Sequence, residues 1–120
     1  MAEHTACLIQ DLSEGALTPA QAGPMPIVLT LQGGRPYAVS ARCPHQGAGL
    51  SNGSVVDHVG ADGAGCLIVD PDRPVLRCPW HGFEYDLKTG EAVVASPDHH
   101  RLRLRRLDAR VEDGRVIVAT

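Results

Sequence analysis

The sequence predicts a small all-β protein, and three observations lead to that fold class. Apolar residues come in short runs that are bounded by residues typical of turns. The 13 glycines and 9 prolines among 120 residues indicate many turns and few long helices. A chain of this length can bury one modest core, so we expect a single domain over residues 1–120.

The N-terminal part predicts one strand, a turn-rich connection and a hairpin that leads towards Cys43. Gly15–Pro26 is rich in glycine and proline and is interpreted as the connection. Two adjacent glycines, Gly33 and Gly34, give the strongest hairpin signal because a tight hairpin turn needs backbone angles that glycine adopts freely. The predicted strands of this part are Thr5–Gln10, Ile27–Leu31 and Tyr37–Ser40, the last two flanking Gln32-Gly33-Gly34-Arg35.

The C-terminal part predicts five more strands, separated by turns at Lys88-Thr89-Gly90 and Glu112-Asp113-Gly114. Arg101, Arg103 and Arg105 alternate with leucines, which is typical of a strand with one solvated face. A docking patch is the alternative interpretation of these arginines. The predicted strands are Val75–Arg77, Glu84–Leu87, Glu91–Ala95, Leu102–Leu107 and Val116–Ala119.

Two short segments carry the candidate chemistry. C-P-H-Q-G-A-G-L begins at Cys43 and C-P-W-H-G-F-E-Y-D begins at Cys78, so each segment offers one thiolate and one imidazole, from His45 and His81. Soft and borderline ligands of this kind suit zinc, copper or an iron-sulfur cluster, and argue against magnesium or calcium. A zinc-binding structural module is therefore one interpretation. However, zinc fingers usually group their cysteines and histidines separately, whereas a mixed pair in each loop favours dividing the ligands between two irons.

The two segments resemble those of Rieske-type [2Fe-2S] proteins, in which two histidines replace two cysteines on one iron. The resemblance implies that Cys43 and Cys78 bind the inner iron of one [2Fe-2S] cluster, and that His45 and His81 bind the outer iron. It also implies an antiparallel β-sandwich base, from residues 1–40 and 87–120, with an inserted cluster-binding subdomain at about residues 41–86. Further residues expected around the cluster are Gln46, Gly47, Trp80, Gly82 and Tyr85.

The sequence also departs from the high-potential respiratory members of that family. Ala48 and Trp80 stand where those members carry an extra disulfide, and Phe83 stands where they carry a serine that donates a hydrogen bond, so of the two expected donors only Tyr85 remains. Hydrogen bonds to the cluster raise its potential. We therefore expect a midpoint potential in the lower half of the family range of about −150 to +300 mV.

The connection between the two loops is longer than the family usually has. His45 and Cys78 are separated by 32 residues, and the additional residues are expected between Ser54 and Arg73. A glycine-rich turn followed by an apolar run there suggests an added hairpin. The insertion is interpreted either as a partner surface or as a simple surface elaboration.

Composition and charge narrow the location and the partners. A net charge of −3 gives no indication of a nucleic-acid or membrane partner, and no apolar stretch approaches the length of a membrane helix. The N-terminus does not resemble a secretion signal, so a cytoplasmic location is expected. Cys7 and Cys66 are then expected to be free, buried thiols.

These observations predict an electron carrier and not an enzyme. Rieske oxygenase subunits continue into a large domain with a mononuclear iron, for which a chain ending at Thr120 leaves no room, and no dinucleotide-binding fingerprint is present. The expected partners are a reductase and a terminal oxygenase. The alternative is a small Rieske subunit bound permanently in a larger reductase, resembling that of nitrite reductase.

Overall fold

The computed structural model describes residues 2–43, 49–61, 67–79, 84–93 and 103–120. Within these ranges the chain forms strands and two short 3-10 turns, Ile9–Asp11 and Leu50–Asn52, which confirms the predicted all-β class. The strands are β1 Glu3–Leu8, β2 Leu17–Ala22, β3 Met25–Gln32, β4 Arg35–Ser40, β5 Ser54–Ala61, β6 Leu67–Arg77, β7 Glu84–Asp86, β8 Arg106–Glu112 and β9 Arg115–Ala119.

Six of these strands form one antiparallel sheet in the order β1-β9-β8-β4-β3-β2. The two strands at the ends of this order, β1 and β2, contact each other, so the sheet curls back on itself and encloses a core. The six strands come from the beginning and the end of the chain, as the predicted sandwich base requires.

Two tight turns close the hairpins of this base. The β3–β4 hairpin turns at Gly33 and Gly34, with φ of 61° and 77°, and the β8–β9 hairpin turns at Asp113 and Gly114, with φ of 52° and 75°. Positive φ at both central residues matches the twist of the flanking strands, and glycine and aspartate tolerate it. Both predicted turns are confirmed.

Strand β3 is buried on both faces and separates two cores. Ile27 and Leu29 lie in the core that the six-stranded sheet encloses, together with Val116 and Val118 of β9. Val28 faces the other way and packs with residues that follow β4 or lie in the three-stranded sheet. This two-sided burial explains why the sequence of β3 is an almost continuous apolar run, without the alternation of a half-exposed strand.

The remaining strands form a second antiparallel sheet in the order β5-β6-β7. It lies between β4 and β8 in the chain, within the residues that the sequence assigns to an inserted subdomain. Within this sheet, β7 pairs with Val75–Arg77, the end of β6 that precedes Cys78. This sheet therefore connects directly to the second of the two cysteine-containing loops.

The long connection forms an extended hairpin, as predicted. Ser54–Asp57 pairs with Pro74–Arg77, and His58–Ala61 pairs with Leu67–Asp70, so residues 71–73 form a bulge between the two paired parts. The prediction that β6 is a short strand from Val75 is wrong, because β6 begins at Leu67. Pro71 in the bulge and Pro74 directly after it interrupt the strand pattern in the sequence, but prolines are tolerated at a bulge. Residues 62–66, which include Cys66, lie outside the described residues.

Two predictions near the N-terminus are wrong. The first strand ends at Leu8, because Asp11 accepts a hydrogen bond from the Leu8 N–H at 3.2 Å and the chain turns there. The segment Gly15–Pro26 is not only a connection, since it contains β2. Pro19 is tolerated in β2 because that strand lies at the edge of the sheet, where a missing N–H leaves no partner unsatisfied.

Two predictions near the C-terminus differ from the structure as well. The strand predicted over Leu102–Leu107 is displaced, since β8 begins at Arg106 and the Leu104 N–H bonds the Gly90 carbonyl instead of a strand ladder. Glu91–Ala95 contributes only isolated bridges at Glu91 and Ala92 among the residues described there. The predicted strands at Glu84 and Val116 are confirmed to within a residue at their ends.

Candidate metal centre

Each cysteine-containing loop is held at its stem by backbone pairing. The first loop leaves β4 and is closed by a bridge between Arg42 and Gly49 and by the Leu50 N–H, which donates to the Ala41 carbonyl at 2.9 Å. The second loop is closed by the pairing of the ends of β6 and β7. Cys43 and Cys78 directly follow these paired residues, so the stems fix the positions of both cysteines.

The two cysteines lie in the same buried cluster. Cys43 is 2% exposed and Cys78 is 1% exposed, and both belong to the core that also contains Tyr85. Buried thiols among apolar side chains are shielded from water. In the described part of the chain, no group of three or more His, Cys, Asp or Glu side chains is arranged to hold a metal ion.

Tyr85 is a polar partner of Cys43 in this cluster. Its side chain is fully buried, and its hydroxyl lies 3.3 Å from Cys43 Sγ. Burial, followed by the hydrogen bond to Cys43, raises the pKa of Tyr85 well above its ordinary value. The hydroxyl therefore stays protonated and can donate to a Cys43 thiolate.

The structure shows two further residues that the sequence analysis did not identify. Gly53 lies where its backbone approaches the Arg77 carbonyl so closely that a Cβ would collide with it, which brings the stems of the two loops together. Asp86 is buried, and its Oδ1 accepts hydrogen bonds from the N–H groups of Lys88 and Thr89 at 2.8 and 3.3 Å. The sequence signals for them were the Asn-Gly pair at Gly53 and the aspartate-initiated turn that ends at Gly90.

The structure thus describes three of the predicted site residues, Cys43, Cys78 and Tyr85, and brings them together. Two buried thiols in one cluster, one of them 3.3 Å from a phenol hydroxyl, fit the sulfur side of a mixed thiolate and imidazole centre. The other predicted site residues lie outside the described residues: His45, Gln46, Gly47, Trp80, His81 and Gly82.

Cys7 and the C-terminal arginines play other parts. Cys7 is a free thiol, as expected, but it is only half-buried. Burial, and secondly the charge of Asp11, raises its pKa.

Arg103 forms an ion pair with Glu91 at 3.4 Å, and Arg106 Nε donates to the Leu87 carbonyl at 3.0 Å. These contacts support the interpretation of Arg103 as part of a solvated face.

A family model of the Rieske [2Fe-2S] domain matches residues 2–106. The chain belongs to the Rieske [2Fe-2S] family. The resemblance indicated by the two loops is therefore confirmed, and with it the cofactor, because the [2Fe-2S] cluster defines this family.

Two proteins that are similar in sequence differ in how much of their length this chain covers. Apoptosis-inducing factor 3 of Mus musculus is 29% identical over 89 residues, which are 74% of this chain and 12% of that protein, so this chain spans only a small part of its length. The 3-phenylpropionate/cinnamic acid dioxygenase ferredoxin subunit of Escherichia coli strain K12 is 31% identical over 88 residues, which are 73% of this chain and 68% of that subunit.

A ferredoxin of solved structure has the same fold. The ferredoxin of carbazole 1,9a-dioxygenase from Nocardioides aromaticivorans IC177 matches with a TM-score of 0.76 over 99% of this chain and 98% of that chain, at 22% identity. This likeness confirms the Rieske-like fold predicted from the sequence. In the described part of the chain, no helix has the length and apolar character needed to span a membrane.

Proposed function

We propose that this chain is a one-electron carrier that takes electrons from a reductase and passes them to a terminal oxygenase. The observation that carries the proposal is the buried thiol pair, Cys43 and Cys78, in one cluster with the Tyr85 hydroxyl. Nothing else among the described residues offers comparable chemistry. In this role the chain is an electron-transfer component and not an enzyme in its own right.

Cys43 and Cys78 would hold one iron of the cluster, and His45 and His81 the other. When bound, the cluster supplies reversible one-electron oxidation and reduction. The residues of the chain exclude water from the sulfur side, and the Tyr85 hydroxyl, 3.3 Å from Cys43 Sγ, would donate a hydrogen bond to the Cys43 thiolate. Gln46, Gly47, Trp80 and Gly82 would line the same centre, in a subdomain over about residues 41–86.

The choice of partners is supported by the Escherichia coli relative, whose name assigns it to a dioxygenase system. Electron transfer of this kind uses small, transient interfaces. We place the carrier in the cytoplasm, together with these partners. A small subunit bound permanently in a larger reductase is the alternative that the partner experiment below distinguishes.

The metal centre is tested on purified protein by its absorption and electron paramagnetic resonance spectra and by analysis of iron, sulfide and zinc. We expect one [2Fe-2S] cluster per chain. His45→Ala and His81→Ala should each abolish the native spectrum, whereas His4→Ala, the matched control in β1, should leave it unchanged. Likewise Cys43→Ser should lose the cluster and Cys7→Ser should keep it. A colourless protein that contains zinc would overturn the proposal.

The partners are tested by size-exclusion chromatography and by rapid-mixing kinetics. A carrier should elute alone, be reduced by an oxygenase-system reductase, and be reoxidised by the matching oxygenase. Co-elution with a large reductase subunit, without transfer to an oxygenase, would support the alternative and refute the role of a mobile carrier.

A further inference from the structure

Two segments of the chain meet at the hydrogen bond between Tyr85 and Cys43. Cys43 follows the end of β4 at Ser40, and Tyr85 lies in the middle of β7. The two strands belong to different sheets. The distance between the hydroxyl and Sγ therefore depends on how the two sheets are fixed relative to each other.

Arg105, which precedes β8, and Arg106, its first residue, hold both segments. The Ser40 N–H, three residues before Cys43, donates to the Arg105 carbonyl at 2.9 Å. The neighbouring Arg106 donates through Nε to the Leu87 carbonyl, two residues after Tyr85, at 3.0 Å. The Arg105–Arg106 pair thus binds the chain on either side of the Tyr85–Cys43 contact.

The surroundings of Arg106 fix its side chain in this position. Its backbone lies opposite Val39 of β4, so its stem belongs to the six-stranded sheet. Gly90 lies beneath the side chain with φ of 80°, and a Cβ there would approach the Arg106 Cδ to 3.3 Å and the Leu104 carbonyl to 2.6 Å. Leu87, the acceptor residue, is fully buried, as is Tyr85.

We infer that Arg106 is a positioning residue, which holds the β7 segment so that the Tyr85 hydroxyl reaches Cys43 and thereby sets the potential of the centre. This inference rests on the proposed function, because a potential exists only when the chain carries its cluster. Arg106 acts through its Nε–H donor and not through its charge, since the group that accepts this hydrogen bond is a neutral carbonyl.

Substitutions of Arg106 in the full chain separate the effect of its Nε–H donor from the effect of its charge. In Arg106→Gln the side-chain amide places an N–H donor at the position of Nε and removes the charge. Arg106→Met has the same length and the same loss of charge but no donor, and Arg106→Lys keeps the charge and moves the donor one atom further out. Arg105→Gln is the control, because it removes a neighbouring charge and keeps the backbone carbonyl that Ser40 uses.

The readouts are the midpoint potential and amide hydrogen exchange of the peptide that contains Asp86 and Leu87. We expect Arg106→Met and Arg106→Lys to lower the potential, by no more than Tyr85→Phe does, and to speed the exchange of that peptide. Arg106→Gln and Arg105→Gln should match the wild type. In a Tyr85→Phe background, Arg106→Met should cause no further change in potential, because its effect passes through the hydroxyl.

Three results would overturn the inference: equal shifts in Arg106→Met and Arg106→Gln, an unchanged potential in Arg106→Lys, or a full Arg106→Met shift without the Tyr85 hydroxyl. If Arg106→Met does not assemble a cluster, the comparison of Arg106→Lys with Arg106→Gln decides alone. A colourless wild-type protein would refute the proposed function as well, whereas a coloured one with unshifted variants would refute only the role of Arg106.

Discussion

Replacing Tyr85 with phenylalanine removes one hydroxyl from the buried site and leaves the aromatic ring in place. The ring fills fully buried space, so the substitution creates almost no cavity. What is lost is the hydrogen bond at 3.3 Å to Cys43 Sγ. In the holoprotein this bond favours the state with more negative charge on sulfur, which is the reduced state, so we expect a lower midpoint potential.

The size of the shift follows from the energy of one such bond. A hydrogen bond to a charged group contributes about 1.5–3 kcal/mol, and only the part that differs between the two redox states changes the potential. If about 1 kcal/mol is specific to the reduced state, the midpoint falls by about 40 mV, because about 1.4 kcal/mol corresponds to about 59 mV for one electron.

A redox titration followed by visible absorption measures this shift. Tyr37→Phe is the matched control, since Tyr37 is the only other tyrosine of the chain and lies half-buried in β4. Its potential should equal that of the wild type. An unchanged or higher potential in Tyr85→Phe, or an equal shift in Tyr37→Phe, would refute the role assigned to the Tyr85 hydroxyl.

Three further predictions concern stability. Gly53→Ala should lower the free energy of unfolding by about 1–3 kcal/mol, because its Cβ would collide with the Arg77 carbonyl; Gly49→Ala, whose Cβ would make only an ordinary contact at 3.7 Å, should unfold like the wild type in a thermal melt. Leu76→Ala, in the core around the cysteines, should cost about 2–5 kcal/mol in urea unfolding, and a loss below 1 kcal/mol would contradict the packing described. The Arg110 guanidinium holds the pKa of Glu3 below its ordinary value of 4.5, so the stabilisation from Glu3 is present above pH 4.5 and is lost as the pH falls through the folded-state pKa. Glu3→Gln should therefore remove this part of the fall in melting temperature at acid pH. An unchanged fall in the variant would contradict the role of the ion pair.

The sequence predicted the strands whose signals are local. Gly33-Gly34 and Asp113-Gly114 define their hairpins because the turn itself requires those residues. The sequence did not predict β2, because Pro19 and the surrounding glycines are typical of a connection; only its place at the edge of the sheet makes Pro19 acceptable. A position at an edge is a property of the whole sheet, and no local pattern contains it.

The same distinction applies to the site. The motifs around Cys43 and Cys78 identified the candidate ligands because the ligand chemistry resides in the residue types themselves. The sequence could not reveal that Gly53 approaches Arg77, or that Arg106 reaches the Leu87 carbonyl. Those contacts join residues that are about 20 positions apart in the chain. The first follows from the pairing of β5 with β6, and the second from the packing of the six-stranded sheet against the segment after β7.

The long insertion leaves the site in register because of where its bulge lies. A strand that slips by one residue turns every side chain to the opposite face. Here the slip is confined to residues 71–73, and beyond it Pro74–Arg77 pairs regularly with Ser54–Asp57 up to the residue before Cys78. The β6 residues that pair with β7, Val75–Arg77, all lie within that regular part. Lengthening a loop costs only about 0.6 kcal/mol of closure free energy for each doubling, so the distal part of the hairpin destabilises the fold little. The bulge also makes the register of that distal part independent of the register of the paired residues that precede Cys78.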